Sequence, residues 1–203
     1  MRFRDGQGTG EPFLKRVKNM LFHPRSEWEI IKEEQTSYRR LISSYLGIIA
    51  AIPPVSAVVG SVIFGRGIAG SSPLGYVLAA NILWYFVIIV NMLITAAVIT
   101  AVACKNETGW IGLRGFKLAV YSFTPSFLVC ILIIIPRLTW FIYVAILYSL
   151  YLLYLGIRSM VGVEQGKAVW YTAVSFLAAG LIVGAMNMFE YMFESFIASK
   201  IVF

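Results

Sequence analysis

The stretch LGYVLAANILWYFVIIVNMLITAAVITAVA, residues 74–103, contains no charged side chain. A helix needs about 20 apolar residues to cross the hydrocarbon core of a bilayer. This stretch is long enough to cross with a tilt or to protrude. The preceding residues 67–73, GIAGSSP, are typical of a turn. The sequence therefore predicts a transmembrane helix over residues 74–103.

Four further stretches have the same apolar character and predict spans at 41–64, 117–135, 138–157 and 168–189. The whole chain is 59% hydrophobic and 13% charged, whereas a soluble domain is about 25% charged. We predict an all-α integral membrane protein with five transmembrane helices. Its domains would be a mobile N-terminus at 1–12, short cytoplasmic amphipathic helices at 13–40 and a membrane domain at 41–203.

The positive charges predict the orientation of this membrane domain. The chain has 17 Lys and Arg residues and a formal net charge of +7. Fourteen of those cations lie before the first span, between the second and third, or between the fourth and fifth. Cytoplasmic loops carry an excess of Lys and Arg. We therefore expect a cytoplasmic N-terminus, a periplasmic C-terminus and residence in the cell's inner membrane, which leaves no need for nucleic acid as a partner.

The segment after residue 12 predicts a short basic amphipathic helix. Its apolar side chains recur at helical spacing: Phe13, Leu14, Val17, Met20 and Leu21. The cations Lys15, Arg16 and Lys18 lie elsewhere around the helix. Such a helix can lie at the anionic headgroups of the inner leaflet. It can equally dock its apolar stripe on the protein's own loops, and the sequence leaves both interpretations open.

A second short helix is predicted to follow. Pro24 ends the first one, and the S-x-x-E pattern from Ser26 to Glu29 predicts a capping box that begins the next. Trp28 would then sit at headgroup depth as an interfacial anchor. Arg39 and Arg40 would end the segment at the membrane surface.

The interiors of the spans contain no Asp, Glu, Lys, Arg or His. The candidate site inside the membrane therefore consists of neutral polar residues and prolines. Asparagines in spans commonly bond to neighbouring helices, whereas prolines interrupt helices, either for packing or to form a transport path. The fourth-span tyrosines could pack against an interrupted helix. These candidates are Pro53, Pro54, Asn81, Asn91, Tyr121, Ser122, Pro125, Tyr148, Tyr151 and Tyr154.

Three stretches resemble the Yip domain family of multi-spanning membrane proteins. Residues 21–31, LFHPRSEWEII, resemble the N-terminal signature of its prokaryotic branch. Residues 121–125, YSFTP, resemble the tyrosine-to-proline motif of the third span. YLLYLGI at 151–157 and KAVWY at 167–171 resemble the junction of the last two spans. The resemblance covers residues 14–190, agrees with the five-span topology and implies an integral membrane protein with no established enzymatic activity.

Eukaryotic members of that family act in vesicle traffic with Ypt/Rab GTPases. The present chain lacks their D-L-Y-G-P motif, and only about 40 residues precede its first predicted span. These departures argue against a Rab-type GTPase as partner and indicate a prokaryotic-type member.

Two functions remain open on the sequence. The first is a non-catalytic membrane organiser that binds lipid, further copies of itself or other membrane proteins. The alternative is a small transporter or channel with a path at the interrupted first and third spans. The sequence shows no motif for a catalytic, cofactor-binding or metal site, and His23 is its only histidine.

Overall fold

A computed structural model describes residues 12–64, 74–104 and 112–201, and every regular element in these ranges is a helix. Almost all of the predicted mobile N-terminus, residues 1–12, lies outside the described residues. Two short helices come first: α1, Phe13–Phe22, and α2, Pro24–Glu33. Together we call them the α1–α2 hairpin.

Five helical segments are long and apolar enough to cross a membrane, which confirms the predicted five-span, all-α fold. They are Tyr38–Phe64, Val77–Ala103, Leu113–Ile134, Phe141–Val161 and Gln165–Ala185, here called the first to fifth spans. The helix of the second span begins at Leu74, and that of the fifth continues to Ile201. The third begins four residues before the predicted 117, and the fourth ends four residues after the predicted 157.

Two spans are interrupted, in both cases next to prolines. The first span consists of the helices Tyr38–Leu41, Gly47–Ile49 and Ile52–Phe64, with a π-helical turn at Ile42–Leu46. The third consists of Leu113–Ser122, Thr124–Val129 and a 3₁₀ turn at Cys130–Ile134. Pro53, Pro54 and Pro125 each lie in the first turn of a new helix. A missing backbone N–H costs least there, because the first N–H groups of a helix have no partner within it.

The hairpin turn differs from its prediction. Helix α2 begins at Pro24, two residues before Ser26, so the predicted capping box at Ser26–Glu29 is wrong. Proline has a fixed φ that suits the first helical position, and it takes that position here. The Ser26 hydroxyl instead donates to the carbonyl of His23 at 3.0 Å.

The spans pack into one bundle, and the second and third come close together at Gly115. A Cβ on Gly115 would collide with the hydroxyl of Thr100. That hydroxyl accepts a hydrogen bond from the backbone N–H of Gly112 at 3.0 Å. The fourth span packs against the third, the fifth and α2. The hairpin is therefore part of the bundle, at the end where the first and third spans begin.

Candidate functional site

Trp28 of the hairpin lies in a closed pocket of the bundle. Its side chain is 0% exposed, and its indole meets the Tyr121 ring edge-on, with centroids 6.3 Å apart. The floor of the pocket is Gly156 in the fourth span. A Cβ there would lie 2.7 Å from Cζ2 of Trp28 and 2.6 Å from Cδ2 of Leu118. The absent side chain of Gly156 is thus what makes room for the indole.

Arg16 joins α1 to α2 inside the protein. It is 3% exposed and donates to Oε1 of Glu27 at 2.7 Å and also to Glu34. Its Cζ lies 5.7 Å from the ring centroid of Tyr121. Burial alone lowers the pKa of Arg16, but electrostatic interaction with Tyr121, Glu34 and Glu27 raises it above its usual value. The guanidinium is therefore a fixed charge between the two helices.

The hairpin is also fastened to the spans by hydrogen bonds at its helix ends. Nζ of Lys117 donates to the carbonyls of Ile31 and Glu34 at 2.8 and 2.7 Å. The last carbonyls of a helix lack partners within it, so Lys117 caps α2 from the third span. The hydroxyl of Tyr148 donates at 2.6 Å to the carbonyl of Leu21, near the end of α1.

The structure separates the cations that the sequence analysis grouped at a lipid interface. Lys15, Lys18, Arg39 and Arg40 are exposed. Arg16 and Trp28 are instead buried, which corrects their assignment to lipid. The carboxylates of Glu27 and Glu34 hold Arg16 inside, and the gap at Gly156 admits Trp28. The sequence left two surfaces open for the apolar stripe of α1, the lipid headgroups and the protein itself. Val17 and Met20 of this stripe lie against the protein's own core.

Tyr45 and Tyr121 form the base of the hairpin site, between the first and third spans. Their rings meet edge-on with centroids 4.7 Å apart. The Tyr45 hydroxyl shares a 2.8 Å hydrogen bond with the hydroxyl of Thr124, beside the buried Pro125. Ser122 is fully buried, and its hydroxyl has no hydrogen-bond partner. The interrupted third span therefore supports the hairpin.

The tyrosines of the fourth span were predicted to pack against an interrupted span, and the polar contacts that they make lie elsewhere. Tyr148 bonds to α1, Tyr151 is 40% exposed, and Tyr154 lies beneath the guanidinium of Arg158. A tyrosine of the second span does bond to an interrupted span: the hydroxyl of Tyr85 donates to the carbonyl of Gly47 in the first span at 3.2 Å. Sequence reasoning missed Tyr85 because nothing in its local pattern distinguishes it among 11 tyrosines.

Two of the remaining intramembrane candidates line a groove between the first and second spans. This groove has a volume of about 420 Å³, is open on one side and has almost entirely apolar walls, which include Pro54 and Asn81. Pro53 and Asn91 are buried outside that lining. Tyr121, Ser122 and Pro125 are not part of the groove. The residues of the predicted polar path therefore do not form one continuous path. Some line the groove, and others lie in the third span beneath the hairpin.

Comparison with known proteins agrees with this architecture. The family model of the Yip1 domain matches residues 18–186. Two relatives, each named inner membrane protein YohC, come from Escherichia coli strains K12 and O6:H1. Each is 24% identical over 184 residues, which cover 84% of this chain and 90% of the relative. No solved structure matches this chain.

The family match extends from α1 into the fifth span. It includes Trp28, the motif at 121–125 and Gly156, which the fold brings together at the hairpin site. The resemblance noted in the sequence is confirmed, and this five-span membrane protein belongs to the Yip1 domain family.

Proposed function

We propose that the protein is a non-catalytic organiser of the membrane whose hairpin holds a basic, apolar face at anionic lipid. The observation that carries this proposal is the outer face of α1. Leu14, Lys18 and Phe22 follow one another at intervals of four residues, which places them on one side of a helix. Leu14 is 77% and Phe22 69% exposed, and Lys18 is exposed between them.

This face suits the headgroup region better than water. Leucine and phenylalanine gain free energy by entering the boundary between headgroups and acyl chains, and a lysine near the surface gains about 1 kcal/mol from anionic lipid. The opposite side of α1 is packed on the core through Val17 and Met20. The hairpin would therefore present the face in a fixed position instead of folding on contact with lipid.

A non-catalytic role is supported by what the ionisable groups of the site already do. Arg16 and Glu27 bind each other, and Lys117 caps α2. General acid–base catalysis needs a group free to exchange a proton with a substrate. These three groups instead hold helices together.

The cation distribution supports a cytoplasmic hairpin and a periplasmic C-terminus. The relatives from Escherichia coli are named inner membrane proteins, and we propose the same membrane for this chain. The inner leaflet would then supply the anionic lipid.

The test uses the full chain, reconstituted in phosphatidylcholine, and spin-labelled lipids whose immobilised fraction measures contact with protein. We expect spin-labelled phosphatidylglycerol to associate several-fold more strongly than spin-labelled phosphatidylcholine. The preference should fall when salt rises from 0.1 to 1 M, because the screening length shrinks from about 10 to about 3 Å. Equal association of both lipids in the wild-type protein would overturn the proposal.

A matched pair of variants locates the effect. Lys18→Gln removes the cation between Leu14 and Phe22, whereas Lys32→Gln removes an exposed cation of α2 that lies 3.9 Å from Glu29. We expect Lys18→Gln to reduce the phosphatidylglycerol preference and Lys32→Gln to leave it nearly unchanged. An equal reduction in both variants would mean that net charge, and not this face, attracts the lipid.

A further inference from the structure

The α1–α2 hairpin lies beside the fourth span and not beyond its end. The hydroxyl of Tyr148 donates at 2.6 Å to the carbonyl of Leu21, next to the turn of the hairpin. Farther along the same span, the hydroxyl of Ser159 donates to Oε1 of Glu29 at 2.8 Å. Tyr148 and Ser159 are 11 residues apart, which corresponds to about 16 Å of helix. The hairpin therefore follows about half of the fourth span, with its turn toward the bilayer centre.

The length of the fourth span sets the depth of this turn. Phe141–Val161 has 21 residues and is about 31 Å long, close to the hydrocarbon thickness of about 30 Å. Val161 then marks one edge of the hydrocarbon, and Tyr148 lies about 20 Å from that edge along the helix. In the orientation proposed above, this is the cytoplasmic edge. The hairpin turn therefore lies at the depth of the acyl chains, on the side of the inner leaflet.

The side chains next to the turn suit this depth. Phe22 is 69% exposed, and the turn residue His23 has no permanent charge. Within residues 19–27, all of which the structure describes, Arg25 is the one exposed Lys, Arg, Asp or Glu residue, since Glu27 is buried. An arginine can keep its stem among acyl chains while its guanidinium reaches the headgroups. The other exposed charges of the hairpin are five or more residues from the turn: Lys15, Lys18, Glu29, Lys32 and Glu33.

The hairpin enlarges the protein in one leaflet. Each of its helices has 10 residues and is about 15 Å long and about 10 Å across, so the pair adds on the order of 150–300 Å² of cross-section. The described chain has no second pair of helices beside the spans at the opposite edge, where residues 135–140 join the third and fourth spans. The buried Trp28 and the bonds of Lys117 and Tyr148 fix the hairpin to the bundle. The described protein is therefore wider in the inner leaflet than in the outer, and rigidly so.

We propose that the hairpin is a wedge in the inner leaflet and that its lipid partner is a strongly curved membrane whose cytoplasmic surface is convex. A convex surface has more area than the opposite surface, so it accommodates the wider end of the protein without compressing the neighbouring lipids. This proposal rests on the lipid contact of the hairpin proposed above, but not on the charge of the lipid. It gives the organiser a physical means of action, since many copies in one orientation would bend a membrane in one direction.

The first experiment measures the depth of the turn. Spin labels are attached to Phe22→Cys and Lys32→Cys in the full chain in phosphatidylcholine, with Cys104→Ala and Cys130→Ala as background. We expect the label at position 22 to be relaxed mainly by oxygen, which concentrates among acyl chains. The label at position 32 should be relaxed mainly by a water-soluble nickel chelate. If the nickel chelate reaches both labels equally, the turn lies outside the hydrocarbon and the wedge is refuted.

The second experiment measures the response to curvature. Narrow tubes are pulled from giant phosphatidylcholine vesicles, and the protein density in the tube is compared with that in the nearly flat vesicle membrane. In the same background, a membrane-impermeant fluorescent maleimide on Lys32→Cys reports molecules whose hairpin faces outward. The same dye on Arg137→Cys, which is exposed near the opposite end of the bundle, reports the reverse orientation.

The two orientations serve as controls for each other. The outer surface of a tube is convex, so we expect molecules with an outward hairpin to be enriched several-fold in the tube and the reverse orientation to be depleted. Equal sorting of both orientations, or enrichment of the reverse one, would overturn the proposal. These vesicles contain no anionic lipid, so the result is separate from the phosphatidylglycerol preference, and either can fail while the other holds.

Phe22→Gln and Ile30→Gln form a matched pair of variants. Both replace an exposed apolar side chain of the hairpin, but Phe22 is next to the turn, whereas Ile30 follows Glu29 near the edge of the hydrocarbon. A glutamine among acyl chains loses its hydrogen bonds to water, so Phe22→Gln should hold the turn at a shallower depth. We expect this variant to lower the enrichment in the tube and Ile30→Gln to leave it nearly unchanged. Equal enrichment in both variants would contradict the assignment of the turn as the inserted part.

Discussion

Gly156 is the residue on which the seating of the hairpin depends. Glycine lowers the stability of a helix by roughly 1 kcal/mol relative to alanine, yet here it lies inside a span of 21 residues. The reason is the indole of Trp28, which occupies the space where a Cβ would stand. The bundle gains a buried tryptophan at this position, which outweighs the loss in helix propensity.

Replacing Gly156 with alanine should destabilise the protein by about 1–3 kcal/mol, because an added methyl in a packed core forces side chains or backbone to shift. The new Cβ would lie 2.6 Å from Leu118 and 2.7 Å from Trp28. The measurement is the midpoint of thermal unfolding of the detergent-solubilised protein. Gly180→Ala is the control, since nothing lies within 4 Å of the Cβ it would add. A Gly156→Ala protein as stable as Gly180→Ala would refute this packing.

At the scale of elements, α1 and α2 act as one unit because a single guanidinium bonds to both ends of α2. Glu27 lies in its first turn and Glu34 at its C-cap, and Arg16 reaches both. A buried pair of this kind adds little net stability over an apolar pair, but breaking it leaves an uncompensated buried charge. The pair therefore fixes how the two helices fit together.

Arg16→Met should cost about 3–5 kcal/mol, because Glu27 is then buried without a partner. The double variant Arg16→Met with Glu27→Gln should be more stable than Arg16→Met alone. Unfolding midpoints in one detergent, combined as a double-mutant cycle, measure this coupling. Lys32→Met is the control, since its exposed pair with Glu29 at 3.9 Å contributes little. Additive effects of the two substitutions would mean that Arg16 and Glu27 are not coupled.

The hairpin also shows where sequence reasoning stops. Lys15, Arg16 and Lys18 look alike in a sequence, and helical spacing alone does not say which one is buried. The answer depends on Glu27 and Glu34, which are 11 and 18 residues away from Arg16. Trp28 has the composition of an interfacial anchor, but its burial depends on a glycine in the fourth span. Such contacts are properties of the tertiary fold.

At the scale of the whole molecule, the five spans could be predicted because charge is excluded from hydrocarbon wherever the chain crosses it. The interruptions at Pro53, Pro54 and Pro125 follow from the missing N–H of proline. The groove beside Asn81 could not be predicted, because the sequence does not state which faces of two helices remain apart. Local chemistry thus determines the helices, whereas the packing of these helices against one another forms the hairpin site and the groove.

The proposed orientation can be tested with single cysteines. In a background with Cys104→Ala and Cys130→Ala, Lys18→Cys and Arg137→Cys place thiols at exposed positions near opposite ends of the bundle. In intact bacteria, a membrane-impermeant maleimide should label Arg137→Cys but not Lys18→Cys, because cation-rich segments remain in the cytoplasm. Both variants should react after permeabilisation, which serves as the control. If only Lys18→Cys is labelled in intact cells, the protein has the opposite orientation, with its hairpin outside the cytoplasm.

The bond between Tyr148 and Leu21 has a consequence for biosynthesis. The two residues are separated by 127 positions, and a ribosome adds about 5–20 residues per second. The hairpin is therefore synthesised about 6–25 s before the tyrosine that fastens it. Throughout that interval Gly156 has not been made for Trp28 to pack against, and for most of it Tyr121 has not been made for Arg16. Docking of the hairpin is thus a late step of assembly, and it requires that most of the membrane domain has already been made.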